Sequence, residues 1–203
     1  MKYIKFRKRN RTKAYTKTRR SALLVMPNRL KMTVTLRSFL SNDLKQHLAW
    51  ADAIDARRYM SRIFPKRFEG NSIENNSYFC WYVIMYNDVD VGSIWLEKQN
   101  ADDNVTQLGI LIGNENLLDK GIGRKAIEQA ILDSLSIKPA STVLLNVRKS
   151  NERAQACYKA CGFKIVSQDV KTNDYGDRIE FFTMEKEIPN ILLQVMAQKS
   201  RHP

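Results

Sequence analysis

The sequence has 203 residues, of which 43 % are hydrophobic, and this length and composition suit one globular domain with its own core. It lacks an apolar run of the ~20 residues that cross a bilayer, and its charged start lacks the apolar centre of a secretory signal, so we expect a cytoplasmic protein with no membrane partner. Three cysteines, an odd number, argue against a disulfide framework and favour a reducing compartment.

The net charge of +13 is concentrated at the start of the chain. Residues 1–31 contain twelve Lys and Arg and no acid, which leaves a net charge of +1 for residues 32–203. Such a run cannot bury enough apolar surface to fold alone, so we expect a disordered leader. The leader could bind nucleic acid, act as a transit peptide or be dispensable. The strand-like sequence after Met32 favours the last reading, so deletion of residues 1–31 is expected to leave activity intact. Nucleic acid binding by the remaining chain is not expected.

The first half of the domain is predicted to alternate between strands and helices. Strands are predicted over 33–39, 78–86 and 89–97, the last two forming a hairpin around Asn87-Asp88. Apolar residues at helical spacing predict a helix from Asp43 to Ile54, and a second short helix is predicted through 57–63, ending before Pro65. A polar loop occupies 69–77.

The second half contains further strands, over 105–112, 142–147, 163–167 and 179–186. Helices are predicted over 122–136 and 151–161, and an amphipathic helix follows Pro189. These elements predict a mixed α+β sheet. The tail, 188–203, is expected to dock on the domain or on a second subunit, which would give a homodimer.

A glycine-containing stretch joins the strand over 105–112 to the helix that follows it: Leu118-Asp119-Lys120-Gly121-Ile122-Gly123-Arg124. The first N–H groups of a helix have no partner within it, and the helix dipole adds positive potential, so such a loop can bind phosphate or pyrophosphate. It is not a Walker loop, because no Gly-Lys-Ser/Thr follows at the required spacing. It is also a poor dinucleotide fingerprint, because Arg148 and Lys149, rather than an acid, follow the next strand.

A second motif lies about 30 residues further on: Asn151-x-x-Ala154-x-x-x-Tyr158-x-x-x-Gly162-Phe163. With Lys120-Gly-Ile-Gly-Arg124, in this order and at this separation, it resembles the GCN5-related N-acetyltransferases, over roughly residues 33–187. The resemblance implies one α+β domain whose mixed, mostly antiparallel sheet of six or seven strands is flanked by about four helices. It divides the chain into the leader 1–31, an N-acetyltransferase domain over 32–187 and the tail 188–203.

The resemblance also implies that the protein is an acyltransferase with acetyl-CoA as co-substrate. The expected binding residues are Leu111, Ile112, Gly113, Leu118, Asp119, Lys120, Gly121, Ile122, Gly123, Arg124, Asn151 and Tyr158. The family has Gln or Arg three residues before the first glycine, where this chain has Leu118.

In the family, the pantetheine arm pairs with the strand that leads into the loop, so that strand should diverge from the strand over 142–147. A main-chain N–H group of the same strand polarises the thioester carbonyl, and Leu111 is the nearest position. Asn151 is expected to contact the pantetheine arm and to cap its own helix.

Tyr158 is the expected general acid, because a phenol with a pKa of about 10 is protonated at neutral pH and can protonate the leaving thiolate. Many relatives place a basic carboxylate on the strand before the loop, where this chain has Gln107. Glu115 is the nearest acid and our candidate base. The alternatives are water and three acids close in sequence, Glu97, Asp102 and Asp103.

His47 is isolated on its predicted helix, and we expect a structural role for it. Cys157 and Cys161 lie four residues apart without histidine partners. Because two ligands make a poor metal site, we expect core thiols and no metal.

The expected acceptor is the primary amine of a small cationic molecule, attacked directly in a ternary complex. Acids near the first helices and the 69–77 loop would attract such an amine: Asp43, Asp52, Asp55, Glu69 and Glu74, with Trp50, Tyr59 and Trp81 as candidate walls. Basic residues nearby would repel it: Arg57, Arg58, Arg62, Lys66 and Arg67.

Two alternatives to that acceptor stay open. The opening strand and first helix look like those of aminoglycoside 6′-acetyltransferases and also like those of ribosomal-protein N-terminal acetyltransferases, so a protein N-terminus or lysine is one alternative acceptor. The other alternative is a non-catalytic acetyl-CoA-binding sensor.

Overall fold

A computed structural model describes residues 32–68, 72–73, 76–172 and 176–199. Met32–Pro203 forms one compact unit. The predictions made for the leader over 1–31, and for most of the polar loop over 69–77, lie outside the described residues.

In the described residues, seven strands form a single mixed sheet in the spatial order β1-β2-β3-β4-β5-β7-β6. All neighbouring strands are antiparallel except β4 and β5, which are parallel. The expectation of a mostly antiparallel α+β sheet is confirmed. The strands are β1 (Val34–Ser38), β2 (Phe79–Tyr86), β3 (Val89–Glu97), β4 (Val105–Ile112), β5 (Thr142–Arg148), β6 (Lys164–Thr172) and β7 (Arg178–Glu187).

Helices cover both faces of this sheet: α1 (Leu44–Ala53), α2 (Ile122–Ile137), α3 (Glu152–Ala160) and α4 (Asn190–Lys199). On one face, called the α1 face here, Trp50 and Ala51 of α1 join a cluster with Trp81, Trp95 and Leu111. On the other, the α2 face, a larger core contains the apolar side of α2, and α3 and α4 pack against it. Because β2 lies between these two layers, its side chains are buried on both faces, which explains its continuous apolar sequence.

The helix predicted through residues 57–63 is wrong. The structure has a short 3-10 turn at Ala56–Arg58, preceded by Asp55 with a φ of 45°. Beyond this turn, two main-chain groups of the segment form hydrogen bonds with distant side chains. The carbonyl of Ile63 accepts a hydrogen bond from His47 Nε2 at 2.8 Å, and the N–H group of Lys66 donates to Glu97 Oε2 at 2.5 Å.

The tail helix α4 docks on its own domain, with Leu192 and Leu193 packed against the α2-face core. Ile191 points away and is 68 % exposed. A homodimer formed through that exposed side stays a prediction. In the part of the chain that the structure describes, no helix is both long and apolar enough to cross a bilayer.

Candidate active site

β4 and β5 form a fork in the middle of the sheet. Their parallel pairing covers three residue pairs and ends at Gln107 and Leu144, although the strands continue to Ile112 and Arg148. A cavity of about 930 Å³ opens where the strands part. The predicted divergence of the two strands is confirmed, and their unpaired edges line the cavity.

This cavity reaches both faces of the sheet. Val143, Leu145 and Val147 of β5 belong to the α2-face core, and side chains alternate along a strand, so Asn146 and Arg148 project to the α1 face. The wall includes residues of α2 and α3 on one side of the sheet, and residues of the 54–66 segment on the other. Two molecules can therefore meet at the fork from opposite faces.

The glycine-containing loop forms the α2-face end of the cavity. Gly121 is the N-cap of α2 with a φ of 74°, and a Cβ there would meet open space, so the left-handed backbone rather than crowding favours glycine. Gly123 differs, since its Cβ would make ordinary contacts with Cys157 and Ile112. Among the described residues, the N–H groups of 121–124 have no acceptor. These donors, at the positive end of α2, suit an anion.

Most loop residues expected to bind acetyl-CoA lie on the cavity wall: Leu118, Asp119, Gly121, Ile122, Gly123 and Arg124. Lys120 is exposed and does not line the cavity. Arg124 makes only a loose pair with Glu128, with 3.7 Å between Nε and Oε1. Arg153 of α3 also lines this end, a position that the sequence motifs did not single out.

The β4 backbone changes two of the sequence expectations. The Gly113 N–H group donates to Val91 O of β3 at 2.8 Å, and the direction of these groups alternates along an antiparallel ladder. The N–H group of Leu111 therefore points to Ser93 on β3, whereas those of Ile110 and Ile112 point into the fork. The main-chain N–H group of Ile110 or Ile112, rather than that of Leu111, is therefore the better candidate for binding the oxyanion. Gly113 is not on the cavity wall; its missing Cβ makes room for the Trp50 ring.

Tyr158 and Asn151 of the second motif both line the cavity. The Tyr158 ring packs edge-on against Phe163, with centroids 6.1 Å apart, and its hydroxyl has no hydrogen-bond partner in the described chain. Burial, with smaller effects from Cys157 and Cys161, raises the pKa of Tyr158 well above the usual phenol value. The phenol is thus protonated at neutral pH, as a general acid must be. Asn151 Oδ1 caps α3 by accepting the Ala154 N–H at 3.2 Å.

The histidine and the cysteine pair are parts of the packed structure. His47 is fully buried, with Nε2 donating to the Ile63 carbonyl and Nδ1 accepting from Ser93 Oγ at 3.0 Å. A thiol–thiol hydrogen bond lowers the pKa of Cys157 and raises that of Cys161. Within the described ranges, no three His, Cys, Asp or Glu side chains gather as a metal-binding group.

Among the described residues, the cavity wall contains no buried carboxylate that could act as a base. Glu115 lies in the 3-10 turn Glu115–Leu117, where it lines the cavity with an exposed side chain, so its role stays a prediction. Gln107 stands at the fork. Glu97, paired with it across the sheet, is 5 % exposed, and Arg62 and the Lys66 N–H group bind its carboxylate. A water molecule at the fork is consistent with this arrangement.

The α1-face end of the cavity is formed mainly by the 54–66 segment, together with Trp95 of β3 and Phe181 of β7. Two cations fasten this segment to the sheet. Arg148 Nη2 donates to Arg57 O at 2.7 Å, and Lys171 Nζ contacts Ser61 Oγ. Sequence reasoning missed both cations, because only the register shows that they face the cavity.

Of the acids expected to attract a cationic acceptor, the three that the structure describes do not line this end. Asp52 and Asp55 are exposed and off the wall, and Asp43 is held by Arg37 at 2.8 Å. Glu69 and Glu74 lie outside the described residues. Of the expected aromatic walls, Tyr59 lines the cavity, whereas Trp50 and Trp81 are core residues.

Comparison with known proteins links this geometry to one family. The sequence profile of the acetyltransferase (GNAT) family matches residues 43–163, and a search of curated proteins found no match. A spermidine N-acetyltransferase from Vibrio cholerae, solved with CoA and spermine, is similar in structure, with 21 % identity, a TM-score of 0.62 and coverage of 76 % of this chain and 95 % of that one. A ribosomal-protein-alanine N-acetyltransferase from Brucella melitensis is also similar in structure, with 16 % identity and a TM-score of 0.62, and the match covers 76 % of this chain and 99 % of that one. An aminoglycoside acetyltransferase in complex with coenzyme A has 20 % identity and a TM-score of 0.58, and the match covers 83 % of this chain and 99 % of that one.

Proposed function

Since the chain belongs to the acetyltransferase (GNAT) family and uses acetyl-CoA as co-substrate, we propose that it acetylates the primary amine of a small molecule by direct attack in a ternary complex. The observation that carries this proposal is the fork between β4 and β5, which opens to both faces of the sheet. A donor held on the α2 face and an acceptor entering from the α1 face would meet there without a covalent enzyme intermediate.

The residues on the α2 face fit the phosphates and pantetheine arm of acetyl-CoA. The N–H groups of 121–124 offer donors to a diphosphate, and Arg124 and Arg153 add positive charge beside them. The N–H groups of Ile110 and Ile112, unpaired at the fork, match the amides of an extended arm. When bound, acetyl-CoA supplies the acetyl group as a thioester.

Proton transfer can be assigned to two places in the cavity. Tyr158 holds a proton near neutral pH and has no competing partner in the described chain, so it can donate to the leaving sulfur. The amine must lose a proton, and Gln107 is not a base. Water at the fork, or Glu115 at the edge of the wall, therefore receives it.

A small acceptor is favoured over a protein because the 54–66 segment is tied down across the α1-face end. Contacts from Arg148, Lys171, His47 and Glu97 hold it there. The stricter expectation, a small cationic molecule, lacks support from the described wall, since Asp43, Asp52 and Asp55 are not part of it.

The test is thiol release from acetyl-CoA with spermidine, kanamycin, free amino acids and peptides with free N-termini, followed by mass spectrometry of the products. Release that depends on a small amine and yields its acetylated form is expected. Release with peptides alone would favour a protein acetyltransferase. Binding of acetyl-CoA without release for any amine would favour the sensor.

A further inference from the structure

Charge is divided unevenly along the cavity wall. On the α2 side, the cations Arg124 and Arg153 share the wall with the acids Asp119 and Glu115. On the α1 side, the described wall contains four cations and no acid: Arg62, Lys66, Arg148 and Lys171. An all-cationic end is unexpected for a site that receives only a protonated amine.

Arg148 and Lys171 surround one patch of the sheet although they are far apart in sequence. The register pairs Arg148 with Phe181 and Lys171 with Ile179, and paired residues project to the same face. Phe181 and Ile179 are two residues apart on β7, so they also share that face. Both cations are half-buried beside this apolar strip, which limits how well water can solvate them.

Neither of these two cations has a carboxylate partner among the described residues. The Arg148 guanidinium donates to the Arg57 carbonyl, and Lys171 Nζ contacts Ser61 Oγ and lies 5.9 Å from the centroid of the Phe181 ring. Most N–H donors of the two side chains therefore have no acceptor among the described residues. Asp169 shares this face of β6, but it is exposed, lies off the wall and accepts a hydrogen bond from Ser167 Oγ at 2.7 Å. Arg62 differs, because Glu97 already neutralises it.

We propose that the acceptor carries a carboxylate or phosphate group in addition to its amine, and that Arg148 and Lys171 bind this group. Charge-assisted hydrogen bonds to such an anion would use the free donors and neutralise the half-buried charges. The same charges repel a polycation such as spermidine. Trp95 and Phe181 offer an apolar wall for the short body that joins the two groups.

This inference rests on the proposed function and narrows its substrate class, so its test uses matched pairs of amines. Thiol release at saturating acetyl-CoA is measured with free L-amino acids against their carboxamides, and with ethanolamine phosphate against ethanolamine. Spermidine and kanamycin complete the panel. We expect kcat/KM to be at least tenfold higher for the anionic member of either the amino acid pairs or the ethanolamine pair. A response in the amino acid pairs would identify a carboxylate as the bound group, and a response in the ethanolamine pair would identify a phosphate.

Three variants assign the preference to this site. Arg148→Gln and Lys171→Met should each raise KM for the anionic amine about tenfold and leave its kcat within about twofold. Because both side chains also hold the 54–66 segment, KM for the neutral partner should rise as well, but clearly less than KM for the anionic amine. Lys149→Gln is the matched control. Lys149 adjoins Arg148 in sequence but pairs with Glu180 at 3.3 Å and is not on this wall, so its variant should behave as wild type.

The outcomes separate the two proposals. If spermidine or kanamycin is the best acceptor, or if the matched pairs react equally, the anion site is wrong while the proposed function stands. If no amine releases thiol, the proposed function fails and the anion site is judged by tryptophan fluorescence of the CoA-saturated protein titrated with the same pairs. Tighter binding of the anionic members that is lost in Arg148→Gln would support it, and equal binding would overturn it.

Discussion

Glu97 of β3 is joined to Arg62 of the 54–66 segment, with 2.5 Å between Oε1 and Nη2. Oε1 has no aligned hydrogen-bond donor, so the contact is mainly ionic, whereas Oε2 accepts the Lys66 N–H group at 2.5 Å. The carboxylate is 5 % exposed and the Arg62 side chain 37 % exposed. One buried acid thus fixes the part of the cavity wall that an acceptor would touch, without lining the cavity itself.

Glu97→Gln should therefore affect stability and acceptor binding together. We expect the free energy of unfolding to fall by about 1–3 kcal/mol, near the lower end because Arg62 is partly solvated. KM for the amine should rise several-fold, while KM for acetyl-CoA stays constant because its loop lies on the other face. Urea unfolding and steady-state kinetics measure these changes. A double-mutant cycle with Arg62→Gln is the control, and strict additivity would show that the pair is not coupled.

Tyr158→Phe isolates the proton that we assign to the leaving sulfur. The variant should lower kcat by about 10²–10³, within the usual range for a lost general acid, and leave KM for acetyl-CoA nearly unchanged. The hydroxyl has no partner in the described chain, so thermal stability should not fall. An unaltered kcat across the accessible pH range would remove Tyr158 from the mechanism.

Gly121→Ala tests the left-handed turn at the start of α2. Because φ at this position is 74°, alanine should lower the free energy of unfolding by about 1–2 kcal/mol. Any relaxation of the turn should also redirect the free N–H groups and raise KM for acetyl-CoA. Gly162→Ala is a matched control, since its φ is 89° but it follows α3 rather than opening α2. Equal effects of both variants on KM would argue against an anion site at 121–124.

The sequence predicted the fold well because its signals are local. The periodicity of hydrophobic residues and the two motifs were enough to predict the strands of the sheet and the loop at Gly121. Arg148 and Lys171 could not be found in the same way. Their meeting depends on β7 lying between β5 and β6, a long-range arrangement that no spacing in the sequence encodes. The predicted helix at 57–63 failed for a related reason, since contacts from His47 and Glu97 override local propensity.

Gly113 shows the same limit for a single residue, because a glycine beside a binding loop can serve packing alone. A Cβ at Gly113 would lie 2.2 Å from Cγ and Cδ1 of Trp50. Gly113→Ala should accordingly lower the free energy of unfolding by about 1–3 kcal/mol through overpacking. Once folded, the variant should bind acetyl-CoA as wild type does. Differential scanning calorimetry and isothermal titration with CoA test the two statements, and a selective loss of CoA affinity would restore the cofactor role.

His47 should make stability depend on pH in the mildly acidic range. Burial is the main cause that lowers its pKa in the folded protein, whereas the unfolded residue titrates at about 6.5. Below pH ~6.5 the unfolded chain binds a proton that the native protein excludes, so the free energy of unfolding falls with pH, by at most about 1.4 kcal/mol per pH unit, until the native pKa is reached. Above pH ~6.5 the contribution is constant.

His47→Gln is the variant that isolates this effect, since an amide can still bond to Ser93 or Ile63 but does not titrate. Other groups change stability over nearby ranges: burial raises the pKa of Asp133, and Arg37 lowers that of Asp43. These contributions are common to both proteins and cancel in the difference between wild type and variant. Urea unfolding from pH 4.5 to 7.5 should therefore show a difference that shrinks as pH falls. A constant difference would mean that His47 has the same pKa in the native and unfolded states, which would contradict the prediction.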